Sequence, residues 1–181
     1  TGAVYADDLM TPEEIGTSAG EKAVKRLNPQ KAETAEVPVI YDPRVSRGIV
    51  MHLTSAINGS SIARETSFLK DKMGEQVFSA GMTIYDDPHR ARGLRSKPFD
   101  SEGVANKKRK IIEDGVLTTW IMDLRSSRQL GLETTGHASR GTGSPPSPSA
   151  TNVYLESGSG SPAELMSDIK SGLYITELIG M

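Results

Sequence analysis

Three histidines, His52, His89 and His137, are the only imidazoles in this chain, and cysteine is absent. A catalytic zinc needs two or three neutral imidazoles or carboxylates on one side of the metal, with a general base beside it. No two histidines lie three to five residues apart, and Ala56 stands where a helical partner of His52 would be. His52 therefore reads as a helix histidine meeting water or a neighbouring hydrogen-bond partner, and His89, among arginines, as solvated. The lack of cysteine excludes disulfides, thiolate zinc sites and a cysteine nucleophile together. Serine is abundant, but no Gly-x-Ser-x-Gly elbow follows a strand pattern, and Pro145 blocks the amide after Ser144 from an oxyanion role. Ser67 and Lys70 sit one helical turn apart, a spacing that arises often on surfaces. The acid pairs Asp86-Asp87 and Glu113-Asp114 are more simply turn residues. Gly141 and Gly143 lack the lysine and spacing of a phosphate loop.

Charge adds little chemistry. Lys107 to Lys110 (KKRK) and Arg90, Arg92 and Arg95 are basic, but the formal charge is −2 and no aromatics interleave with them. A solvated strand edge and loop explain them better than nucleic-acid binding, since positive edge residues also guard a sheet against aggregation. The long polar stretch Gly136 to Leu155, stiffened by prolines, is the sharper candidate for binding or an interface, against a passive connection.

The elements that must position these residues are organised around Asp42 to Lys72. Asp42 is an N-cap, Pro43 sits where its missing N–H costs nothing, and Val45, Ile49, Leu53 and Ile57 recur as one apolar stripe. Asn58-Gly59 is expected to stop that helix through positive φ, with a second short helix over about Ser61 to Lys72. Before it, Thr11-Pro12-Glu13-Glu14 is a capping box opening a helix to about Leu27, with Ala19, Ala23, Val24 and Leu27 inward. A polar linker from Lys31 to Glu36 and a short buried strand, Val37 to Tyr41, follow. After it come two short strands, Gln76–Phe78 and Met82–Tyr85, then a charged loop from Asp86 to Asp100. Lys107 to Met122 is the clearest hairpin, turned at Asp114-Gly115. Leu124 to Leu130 suggests one or two helical turns stopped at Gly131, Gly136 to Ala150 no regular element, and Thr151 to Leu155 a strand. Ser161-Pro162-Ala163-Glu164 opens a helix to about Ser171.

With 181 residues, 36% of them hydrophobic, 18 glycines and 10 prolines, the chain suits one loop-rich domain. Residues 1–36 form a leading helix and linker, and 37–181 the core. Helices and short strands without a βαβ rhythm predict an α+β fold, an antiparallel and partly barrel-like sheet packed with a few helices. No apolar run reaches the ~20 residues of a membrane helix, and no signal peptide is seen, so a soluble cytoplasmic protein is the default. The chain begins without Met, and Leu173 to Met181 reads as an apolar strand cut off in mid-flow. Such a strand expects a neighbour from further chain or another subunit, making a homo-oligomer one outcome.

A set of motifs carries a resemblance over nearly the whole chain: NGSSIARETSFLKDKMGEQVFS, GMTIYDDP, RGLRSKPFDSEGVANKKRKIIEDGVLTTWIMDLRSSRQLGLETTGHASRG, PPSPSATNVYL and YITELIGM. In this order they resemble the TldD/PmbA family, on its PmbA (TldE) side, as an internal-to-C-terminal piece of a longer chain. The resemblance implies a cytoplasmic bacterial or archaeal protein, described as a modulator of DNA gyrase and as a peptide-maturation protease. It implies a TldD-type subunit as partner, with unfolded or extended peptides as substrates. The TldD branch carries a zinc-binding His-Glu-x-x-x-His on the helix matching Gly48 to Gly59. Against it, Met51 and Ala56 replace the two histidines and His52 replaces the glutamate, and the branch's further cysteine falls beyond this chain's end. No catalytic residue, metal ligand or cofactor is therefore expected here, and zinc is expected only in the TldD-type partner.

That leaves a non-catalytic subunit of a peptidase heterodimer, shaping the cavity and positioning an extended peptide. Ser67, Asp100, Glu102, Arg140, Ser144 and Asn152 are its candidates for the peptide-binding or interface face. One rival is a stand-alone, metal-independent serine-type hydrolase using Ser67, Ser144 or Ser147 with a base the sequence does not identify. Another is a gyrase-modulating interaction protein. Neither a membrane nor direct nucleic-acid binding is expected.

Overall fold

The computed structural model describes residues 2–179. Its core is a four-stranded antiparallel sheet of β2 (Ile84–Asp86), β3 (Arg109–Glu113), β4 (Val116–Leu117) and β7 (Val153–Leu155), in the order β4-β3-β2-β7. β3 and β4 form the expected hairpin. Asp114 and Gly115 take φ 49° and 82°, the two positive values that match a tight turn to the strand twist. Gly115 is obligatory, because a Cβ there would meet the Phe78 carbonyl oxygen at 2.5 Å. Ile84, Ile111, Ile112 and Leu117 are at most 2% exposed and pack with Leu53, Ile57, Ile62, Trp120, Ile121 and Met122. Burying each such aliphatic side chain contributes roughly 1.5–3 kcal/mol, so this cluster supplies most of the driving force.

Three helices close that core: α2 (Pro43–Ala56), α3 (Gly59–Ala63) and α4 (Leu124–Leu130). Asp42 caps α2 by accepting from the Arg44 amide, while Asp123 caps α4 through the Ser126 amide. The apolar stripe of α2 holds only toward its C-terminal end. Leu53 and Ile57 are buried, but Ile49 is 41% exposed. Asn58 is not a left-handed stop: at φ −64° its side chain caps α3 instead, accepting from the Ser60 amide. Gly59 serves close approach, since a Cβ would come within 2.9 Å of Ser126 Oγ, Met122 Cγ and the Ile121 carbonyl oxygen. The second helix is accordingly five residues long, with Glu65 at φ 57° just beyond it.

Outside the core the elements are exposed. α1 (Pro12–Val24) has its capping box, yet buries no residue, and Val24 and Leu27 lie in solvent rather than inward. β1 (Val39–Tyr41) is likewise exposed and pairs parallel with β8 (Leu173–Ile175). The terminal strand thus finds its neighbour within the same chain, although the expected span reaches Gly180 and Met181, outside the described residues. Asp42 reinforces that pairing, its amide donating to the Ile175 carbonyl and its carboxylate accepting from Tyr174 Oη. α5 (Pro162–Ser167) is capped by Ser161 as expected but ends earlier.

Three loop expectations change. Gln76 makes only an isolated bridge to Val116, and the second predicted strand shifts to Ile84–Asp86. Gly136 to Ala150 contains a short ribbon, β5 (Ala138–Ser139) paired with β6 (Ser147–Pro148), which its glycines and prolines concealed. The basic run Lys107–Lys110 enters β3, an inner strand rather than an edge. The class is α+β, and among the described residues the sheets do not close into a barrel. No helix among them is long and apolar enough to cross a membrane.

Candidate functional site

α2 presents Met51 and His52 to solvent and turns Ala56 toward the core. Met51 is 65% exposed, His52 is exposed, and Ala56 is half-buried against the core. A thioether in solvent and a methyl group supply no imidazole, and among the described residues no group of three or more His, Cys, Asp or Glu could hold a metal ion. The donor set on this helix does not fit a zinc centre.

Ser67 is 8% exposed and committed to the backbone: its Oγ donates to the Ala56 carbonyl at 2.5 Å and accepts from the Leu69 amide at 3.1 Å. Lys70 pairs with Asp71 at 2.7 Å, so the Ser67–Lys70 spacing does not become a Ser–Lys contact. Asp100, 2% exposed, accepts from the Glu102, Val104 and Ala138 amides, each at 2.9 Å. Glu102 accepts from the Leu124 amide at 2.8 Å, at the start of α4. Asn152 donates to the Asp87 carbonyl and Ser96 Oγ and accepts from the Arg95 amide. Arg140 and Ser144 lie exposed on the loop between β5 and β6, where Ser144 Oγ accepts from the Gly141 amide. Ser147 is exposed on β6. Of these residues Asp100 and Glu102 are joined directly, the Glu102 amide donating to the Asp100 carboxylate.

The fold assembles a different cluster. Asp86, on β2 and fully buried, accepts from His137 Nε2 at 3.1 Å, from the Thr151 amide at 2.9 Å and from the Thr151 hydroxyl. Nε2 must carry the proton that the carboxylate accepts, which turns Nδ1 toward the Thr135 hydroxyl, 2.9 Å away. Thr135 Oγ accepts from the Met122 amide at 2.7 Å, and its single proton is shared between Nδ1 and the Met122 carbonyl, 3.0 Å away. Burial favours the neutral form of Asp86, but the bonds from His137 and Thr151 outweigh it and hold the carboxyl below its ordinary value. Arg109, opposite Asp86 in the sheet, is pressed downward by burial and supported by Asp86's charge.

Hydroxyl, imidazole and carboxylate in a row mimic a nucleophilic triad. Yet Thr135, His137 and Asp86 are 4%, 2% and 0% exposed, so no substrate carbonyl can reach the hydroxyl. The row is a structural clamp. Asp86 therefore departs from the expected turn role, which only Asp87 fills by accepting from the His89 amide. The sequence gives no local sign of this cluster, because Asp86 and His137 lie 51 residues apart.

The basic residues also acquire aromatic neighbours that linear order hides. Tyr85 and Tyr154 stack with centroids 5.5 Å apart; Lys108 lies 4.4 Å from the Tyr85 ring centroid and Arg90 4.4 Å from that of Tyr154. Each cation is thereby engaged within the chain.

Fold and site together define an α+β domain whose central helix carries one exposed histidine, His52, and whose buried polar cluster is internal. A family model described as the PmbA/TldA metallopeptidase C-terminal domain matches residues 34–181, and the chain belongs to this PmbA/TldD family. It is 39% identical over 174 residues to Metalloprotease PmbA of Escherichia coli O157:H7, covering 96% of this chain and 36% of that one. TldE from Thermococcus kodakarensis superposes with a TM-score of 0.84 at 30% identity, covering 93% of this chain and 39% of that one. A Thermotoga maritima protein described as a candidate modulator of a DNA gyrase gives 0.88 at 32% identity, covering 99% and 40%. The chain thus spans well under half the length of these relatives.

Proposed function

We propose that this chain belongs to a non-catalytic, TldE-type subunit of a TldD/PmbA peptidase, whose TldD-type partner supplies the zinc. The observation that carries it is the donor set of α2, Met51, His52 and Ala56, at the positions where the other branch has its zinc motif. The likeness to TldE supports the assignment of branch. In this reading the substrate is an unfolded or extended peptide in a cytoplasmic assembly, and this subunit shapes the cavity around it. Ser67, Asp100, Glu102 and Asn152 spend their polar groups on their own backbone and loops, so Arg140 and Ser144, on the exposed loop, are the stronger candidates for contact.

The test is to purify this chain and a TldD-type homologue separately and mixed, then measure zinc content and cleavage of an unfolded peptide. Sub-stoichiometric zinc in this chain, with cleavage only in samples containing the homologue, is the expected result. One tightly held zinc per chain here would overturn it. The triple change Met51→His, His52→Glu, Ala56→His is expected to leave the isolated chain inactive, since it restores the helix donors but no further ligand. Peptide cleavage by that variant alone would show that nothing else was missing.

A further inference from the structure

The Asp86 cluster has a topological property that a simple buried ion pair lacks. Its two donors come from opposite ends of one loop: His137 directly precedes β5, and Thr151 follows the segment that ends β6. Both ends are thus bound to one carboxylate on the core strand β2. We infer that residues 138–150 form a strap whose two flanks are latched to one carboxylate, Asp86, and that breaking this latch loosens the strap as a unit, against the few other bonds at its base, while the sheet stays folded.

The remaining contacts fit a strap fixed at its base and free at its tip. At the base, the Ala138 amide donates to Asp100, Lys97 Nζ donates to the Ala138 carbonyl, and the Ser149 amide donates to the His137 carbonyl at 2.8 Å. Asn58 Nδ2 adds a bond to the Pro148 carbonyl at 2.9 Å. Toward the tip, Gly141 to Pro145 are exposed. None of the four sheet strands depends on the ribbon for its pairing. Local opening of such a unit is governed by the few bonds that hold it, not by the stability of the whole.

Thr151→Val removes one hydroxyl donor to the carboxylate while keeping side-chain shape, and His137→Gln removes the other end's imidazole. Hydrogen exchange of the full chain is then followed residue by residue. For a latch, either change speeds exchange across 138–150 about tenfold, the loss of one hydrogen bond to a charged group. The amides of Ile111, Ile112 and Leu117 keep their rates. In an Asp86→Asn background the two changes add less than twofold each, because their shared acceptor is already impaired. Faster exchange confined to the mutated end overturns the proposal, as does an equal rise in the strap and in β3, which would mean global destabilisation. Should Asp86→Asn not fold, the two single variants still decide between these outcomes.

Discussion

Asp86 illustrates how one residue can couple solvent acidity to tertiary structure. Its ordinary carboxyl value of 3.8 is lowered in the fold because the bonds from His137 and Thr151 overcome the opposing effect of burial. A depressed carboxyl contributes stability that is fully present above its unfolded value and is lost as pH falls through the folded one. The charged and titratable groups about this cluster are His137 and Arg109, with Asp100 and Lys97 bound to Ala138 next in line. Asp86→Asn should therefore reduce stability most above about pH 4, with the gap to the unmodified chain closing as the solution is acidified. Urea unfolding at several pH values measures this directly. A gap of constant size from neutral pH down to pH 2 would show that the carboxylate's charge is not what the cluster uses.

At the scale of elements, the junction of α2, α3 and α4 is the place where local preference and packing disagree. Alanine is the better helix former by up to about 1 kcal/mol, so Gly59→Ala in α3 would help an isolated helix. Here the added methyl meets Ser126 Oγ, Met122 Cγ and a backbone carbonyl, all within 2.9 Å, and the backbone oxygen has little freedom to yield. Overpacking of this kind costs about 1–3 kcal/mol, so the substitution should lower the urea midpoint without changing the slope. An unchanged or raised midpoint would mean that α4 can move away at little cost. The same junction shows where legibility ends. Thr11, Asp42 and Ser161 announce helix starts, and Asp114-Gly115 announces a turn, because each acts within four residues. Asn58-Gly59 has the same local chemistry as a stop, but its role is decided by Met122 and Ser126, remote in sequence. Asp86, His137 and Thr151 are opaque for the same reason, and so is the parallel pairing of β1 with β8. That α2 brings a single imidazole, His52, between Met51 and Ala56 needed only three residue types and their spacing to be read.

The whole molecule divides into a well-packed sheet with its three helices and a periphery of α1, β1, β8 and α5. β1 and β8 form a two-stranded parallel ribbon, whereas parallel pairs are ordinarily covered on both faces. Val39, Tyr41, Leu173 and Tyr174 are each 40–50% exposed, so this ribbon buries too little apolar surface to hold itself at the stability of the core. Its amides should exchange at least a hundredfold faster than those of Ile111 and Ile112 in the isolated chain, through openings that leave the four-stranded sheet intact. Exchange measured against denaturant separates the cases, because a local opening has a weak denaturant dependence and a global one a strong dependence. If the ribbon and the sheet shared both rate and dependence, the periphery would be cooperative with the core, and Asp42, which joins α2 to β8, would be the contact that makes it so.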